Sequence, residues 1–227
     1  MENRSILVPP RWEGSLSFGW QKMKQYFLPL LLVVLVLCIA DAPLESLKKS
    51  TYDRTATWVL LEILAVAYWL LLLPVFDYSA DLLFIQAIRN QKLDLKDIVV
   101  AFKNYLNVVL THLLVTALIG ISMIALIIPG IIVACRLAFT SYLVMDKGLD
   151  PIAAVETSWK MTSGHGWRIF GLGATAVFIF FLGLLCFIVG ILPALIWIKA
   201  SFASLYEAVL IERGEADSPE LPAEAQL

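Results

Sequence analysis

Residues 169–191 run without one charged side chain. As an α-helix this stretch is about 35 Å long, enough to cross the ~30 Å hydrocarbon layer of a bilayer. Comparable apolar runs fill most of the chain. Hydrophobic residues make up 60% of its 227 positions, against ~45–50% in soluble domains. A water-soluble fold of this size has too little interior to hide that much apolar surface. The net charge is −2, which leaves no basic footprint for nucleic acid. Disorder and fibrous repeats are excluded by the same composition.

Six spans are predicted: residues 26–42, 57–88, 106–128, 130–145, 168–191 and 194–211. The second is too long for one straight crossing. Pro74 near its middle predicts a kinked or tilted helix, tolerated where neighbours satisfy the freed carbonyl. Three further segments have helical amphipathicity. Leu16, Trp20, Met23 and Phe27 form one apolar face. Leu95, Ile98, Val99, Phe102 and Leu106 form a second, and Ile152, Val155 and Trp159 a third. Such helices suit the membrane interface, with apolar faces in the acyl chains and lysines among headgroups. Asp94, and Asp150 followed by Pro151, are start signals for the last two.

The pieces recur in order. An amphipathic helix carrying Phe102-Lys103, a span, Pro129 and a span with Tyr142 match a helix carrying Trp159-Lys160, a span, Pro193 and a span with Tyr206. A looser first unit holds Trp20-Gln21-Lys22 and Pro74. The expected fold is therefore an all-α integral membrane protein with six transmembrane helices and three interfacial amphipathic helices. These are arranged as three parallel helix-plus-hairpin units, residues 13–90, 93–147 and 149–213. Residues 1–211 form a single polytopic domain, and 212–227 are expected to be a disordered acidic cytoplasmic tail. Ala40-Asp41-Ala42 has the form of a signal cleavage site, but Pro43 would block the cut, so the N-terminal segment is expected to be retained.

Lysine and arginine set the orientation. Twelve of the seventeen lie on the side of the N-terminus, three (Lys48, Lys49, Arg54) on the other, and Arg136 and Lys199 within spans. Both termini are expected in the cytoplasm. Intramembrane charges are costly and call for partners. Counting along the helices puts Asp77, Asp81, Arg136 and Lys199 at related depths, and a cluster of these four at the bundle centre is expected. It either glues helices together or lines a path for a solute. Glu62, His112 and Glu207 are the other ionisable groups in spans. The candidate lipid-headgroup contacts are Lys22, Lys103, Lys160, His165 and Arg168. Cys38, Cys135 and Cys186 sit singly in apolar runs, without metal-ligand spacing. No nucleophile elbow, zinc helix, P-loop or dinucleotide fingerprint appears. The chain reads as non-catalytic, with no cofactor.

The stretch Ile127-Ile128-Pro129-Gly130-Ile131-Ile132, the segment Tyr142 to Lys147, and the run Ala154-Val155-Glu156-Thr157-Ser158-Trp159-Lys160-Met161-Thr162-Ser163-Gly164-His165-Gly166-Trp167 resemble the YciC-like bacterial inner-membrane proteins. They are also similar to the membrane domain of some glycerophosphoryl diester phosphodiesterases. The resemblance covers the chain from about Asp94 to the end of the sixth span. It implies a six-span bacterial inner-membrane protein, and carries over no catalytic residue. Two functions follow as expectations: a lipid-contacting or partner-binding envelope protein, or a transporter or channel for a small solute or lipid.

Overall fold

Every secondary-structure element among the described residues is helical. The computed structural model describes residues 12–48, 56–93, 95–185 and 187–214, and only the backbone at 42–48, 56–58, 95–96, 99 and 187–189. In chain order come α1 (Trp12–Gln25), α2 (Phe27–Lys48), α3 (Ala56–Leu71), α4 (Leu73–Ile88), a 3₁₀ helix (Leu95–Asn104), α5 (Tyr105–Ala125), α6 (Ile127–Arg136), α7 (Thr140–Lys147), α8 (Pro151–Met161), α9 (Gly166–Leu185) and α10 (Phe187–Glu212). Val59–Ile88, Val100–Ala125, Ile127–Lys147, Gly166–Leu185 and Gly190–Glu212 are each long and apolar enough to cross a membrane. A sixth span results if α1 and α2, bent by 97°, are taken as one broken span. The architecture is that of an all-α, multi-pass membrane protein.

Proline accompanies two of the breaks, whereas Pro193, expected to separate the last two spans, lies inside α10. Pro74 has no N–H for the carbonyl of Leu70 and its ring crowds that carbonyl; the helix parts at Leu72, and α4 begins with Pro74 in its first turn. At the turn between α5 and α6, Leu126 alone is extended. Pro129 falls in the first turn of α6, where a missing N–H costs nothing. Gly130 then lets α6 fold back onto α5: a Cβ there would lie 2.5 Å from Met123 Sδ. The fourth predicted span, 130–145, is not one continuous helix. It parts at residues 137–139, between α6 and α7.

The centre is built from α4, α7 and α10, with α2, α5 and α9 packed around them. Residues 203–210 of α10 are all buried, as are Leu83, Phe84 and Ile85 of α4. Tyr142 and Tyr206 stack with centroids 5.2 Å apart, and Phe139 meets Tyr206 edge-on at 5.6 Å. Hydroxyls inside the helices are satisfied locally. Thr111, Ser122, Thr175 and Ser201 each donate to the carbonyl four residues back, as apolar surroundings require.

Two of the predicted amphipathic helices present different faces to the bundle than their large apolar residues indicate. On α1 the buried residues are Ser15, Gly19, Lys22 and Met23, while Trp20, and Phe27 at the start of α2, are exposed. On α8 they are Ala154, Ser158 and Met161, while Ile152 and Trp159 are exposed. Small residues let backbones approach closely, and helix packing in lipid depends on that approach more than on burying bulk. Asp150 does stand at the N-cap of α8, but its side chain makes no cap hydrogen bond. Asp94, the other predicted start signal, lies outside the described residues. Glu212, assigned by composition to the tail, closes α10.

Gly19 marks the tightest approach of α1 to α10. A Cβ there would fall 2.9 Å from the backbone N and Cα of Ser201. Gly19→Ala is therefore expected to destabilise the protein by about 1–3 kcal/mol through overpacking. Gly173, with nothing within 4 Å of an added Cβ, should tolerate alanine. Thermal unfolding of both variants in detergent checks the contrast; equal midpoints would show that α1 does not dock as described.

Candidate functional site: charge nodes in and below the bundle

Asp77 and Asp81 lie one turn apart on α4, so both carboxylates leave the same helix face. Lys199 of α10 faces them, with its Nζ 3.0 Å from Asp81 Oδ1 and 3.4 Å from Asp77 Oδ1. Asp81 is buried. The Asp77 side chain remains 56% exposed toward the outside of the bundle. His112 of α5 stands nearby, edge-on to Trp69 and Tyr78, with centroids 6.2 and 6.5 Å away.

Arg136 is not in this cluster. Counting from Pro129 along α6 gives a depth but not a facing direction, and the Arg136 side chain turns toward α8. Its guanidinium lies over the Trp159 ring at 5.5 Å. The break after α6 frees the Arg136 carbonyl, which accepts hydrogen bonds from Ser158 Oγ (2.8 Å) and Thr162 Oγ1 (3.1 Å). Two buried hydroxyls thus pin α8 to the gap in the fourth span.

A second node, not predicted, closes one end of the bundle. Arg89 follows α4 directly. Its Nη2 lies 2.8 Å from Asp146 Oδ2 and 2.8 Å from Glu207 Oε2, and its Nη1 reaches Asp146 Oδ1 at 2.5 Å. Tyr206 Oη donates to Asp146 Oδ2 at 3.0 Å. All three charged side chains are nearly closed off, at 13%, 9% and 10% exposure. Burial works against the charge on Arg89, but hydrogen bonds and charge from Asp146 and Glu207 outweigh it and raise the pKa above its ordinary value. A guanidinium fork gripping two carboxylates joins α4, α7 and α10 at one level. From the sequence, Glu207 stands in a span without a named partner, and Arg89 is only one of the charges on the N-terminal side. The available signals were an arginine directly after a long apolar helix, and Tyr142 and Asp146 one turn apart.

The headgroup candidates separate into three groups. Lys22 is buried: its Nζ bonds Gln25 Oε1 at 3.1 Å and also Asn90 Oδ1, and it lies over the Phe18 and Tyr26 rings. It ties α1 to the end of α4 and does not face a headgroup layer, because α1 turns its small-residue stripe, and Lys22 with it, into the bundle. His165 Nε2 and Arg168 Nη1 both meet Glu212 Oε2, at 2.8 and 2.9 Å. Lys103 and Lys160 are exposed, with Glu156 a distant 4.0 Å from Lys160. Among the described residues no group of His, Cys, Asp and Glu is arranged to hold a metal ion.

The chain matches no family model, no curated protein and no solved structure.

Proposed function

We propose that this is a non-catalytic, multi-pass protein of a bacterial inner membrane, YciC-like, with both termini in the cytoplasm. It works by contacting membrane lipids or membrane-protein partners in envelope organisation. The observation that carries this reading is the closed centre. Residues 203–210 of α10 are buried throughout, and the charges along α10 are met by partners within the bundle: Lys199 by Asp77 and Asp81, Glu207 by Arg89. A transport pathway needs polar, hydrated space at mid-depth; here the charges serve as joints between helices.

The end bearing Arg89, Lys147 and Glu212 is assigned to the cytoplasm by the lysine and arginine asymmetry. There the 3₁₀ helix and α8 present Lys103 and Lys160 outward, beside the exposed rings of Phe102 and Trp159. Rings in acyl chains and ammonium groups among phosphates are what an interfacial collar requires. The repeat reading is supported by the layout, in which the last helix of each unit (α4, α7, α10) supplies the centre.

The transporter reading has one specific observation in its favour, the half-open Asp77 carboxylate beside Lys199. A partner helix covering Asp77 accounts for it equally well.

The test is lipid selectivity. In nanodiscs of phosphatidylcholine with increasing phosphatidylglycerol, spin-labelled phosphatidylglycerol should be enriched around the protein. The enrichment should fall with salt and with the double change Lys103→Gln and Lys160→Gln. Indifference to headgroup charge in the unaltered protein would contradict the collar.

A further inference from the structure

Between α6 and α9 a lateral cleft of 470 Å³ opens on the outside of the bundle, lined by Ile128, Ile132, Cys135, Trp167 and Phe170 and by one charged residue, Arg136. Trp167 is 84% exposed and Ile128 73%. Soluble proteins do not leave such surface bare; here acyl chains are the natural cover.

Arg136 breaks the apolar pattern. Among the described residues no carboxylate pairs with it, and its Nη1 is buried without a hydrogen-bond acceptor. An arginine left so, at the edge of hydrocarbon, is expensive unless an anion completes it. Polar groups gather on one side of it. It sits over Trp159, its carbonyl holds Ser158 and Thr162, and the neighbouring Lys160 carbonyl accepts from Arg213 at the charged end of the bundle. From Arg136 the isoleucine ridge of α6 leads back to Ile128, about 12 Å along the helix.

The geometry points to a specific site for one anionic glycerophospholipid, its phosphate on the Arg136 guanidinium and an acyl chain along Ile128, Ile132 and Phe170. Guanidinium and phosphate match in a two-pronged, charge-assisted contact. The preference for net negative headgroups follows from the surroundings. A zwitterionic lipid brings an ammonium group that needs a carboxylate; none lines the cleft, and Glu212 is taken by His165 and Arg168. This site deepens the lipid-contacting reading above and rests on it, but it differs in kind from the collar. It is a single cleft with one half-buried cation, where the collar is a surface of exposed lysines.

Trp167 reports on the cleft directly. In phosphatidylcholine nanodiscs containing a few per cent of lipid brominated on the acyl chain, the Trp167 signal is the difference between the unaltered protein and Trp167→Phe. Brominated phosphatidylglycerol is expected to quench it at about one-tenth the mole fraction that brominated phosphatidylcholine needs. Arg136→Gln should abolish that preference, and Arg136→Lys should keep part of it. Ile132→Trp, which leaves Arg136 in place and fills the cleft, should reduce access of either brominated chain to Trp167. Equal quenching by the two lipids in the unaltered protein overturns the site, as does a preference that survives Arg136→Gln. Lys103→Gln with Lys160→Gln separates the two ideas. A salt-sensitive enrichment that those changes remove, with no headgroup preference at Trp167, leaves the collar standing and the cleft refuted. A preference at Trp167 without such enrichment refutes the collar alone.

Discussion

Arg89→Ala is expected to lower the stability of the folded protein by about 3–5 kcal/mol, the cost of leaving buried charges without their partner. The change strands two carboxylates, Asp146 and Glu207, each about one-tenth exposed and each now facing the other. It also leaves Tyr206 donating to a carboxylate that has lost its counter-charge. Because the fork of Arg89 holds α4, α7 and α10 together, the loss should appear as reduced yield of monodisperse protein and a lower unfolding midpoint in detergent. Arg89→Lys should recover only part of it, since an ammonium cannot grip both carboxylates in one plane. Arg89→Met combined with Asp146→Asn and Glu207→Gln should recover more than Arg89→Ala alone, since no buried charge is then left unpaired. A stable Arg89→Ala protein would mean that water reaches this end of the bundle and the node is a surface feature.

Lys199→Ala is the second large effect. It removes the one cation between Asp77 and Asp81, whose carboxylates share a helix face one turn apart. The expected loss is about 3 kcal/mol, the lower part of the range for a broken buried pair, because the Asp77 side chain is 56% exposed and already partly relieved. The same exposure predicts an ordering. Asp81→Ala should destabilise more than Asp77→Ala, and Lys199→Arg should be tolerated. Unfolding in a denaturant series in mild detergent measures all four. An inverted order, with Asp77 dominant, would mean that Asp77 is covered in the membrane and that the pair is centred on it.

Much of this architecture is legible in the residues themselves. Lengths of apolar run locate the spans. Pro74 and the Pro129-Gly130 pair lie within three or four residues of where helices part, but Pro193, expected to separate the last two spans, runs inside α10. Counting residues along α4 and α10 puts Asp77, Asp81 and Lys199 at related depths, and their side chains meet. Arg136 does not join them: its guanidinium lies over Trp159 of α8, because a count along the helix gives depth and not the direction a side chain faces. Helix faces are harder to read. In water the large apolar residues of an amphipathic helix turn inward; beside lipid, Ser15 and Gly19 of α1 and Ala154 and Ser158 of α8 turn inward instead, and Trp20 and Trp159 stay out. Arg89 eluded sequence reasoning for a related reason. A charge at a helix end is at home in the headgroup layer, and only the convergence of three helices, a long-range fact, converts it into a buried joint.

A dry, structural centre of the bundle keeps aqueous reagents from the residues beside its charged pair. Ser79 on α4 and Ser204 on α10 are fully buried and flank the Asp81–Lys199 pair along their own helices. With Cys38, Cys135 and Cys186 replaced, Ser79→Cys and Ser204→Cys can each be exposed in native membranes to a membrane-impermeant maleimide from either face, with Lys160→Cys as the exposed control. The account predicts labelling of the control and none at positions 79 and 204. Labelling of either buried position would reveal a water-filled route to the Asp81–Lys199 pair, and would identify the protein as a transporter or channel.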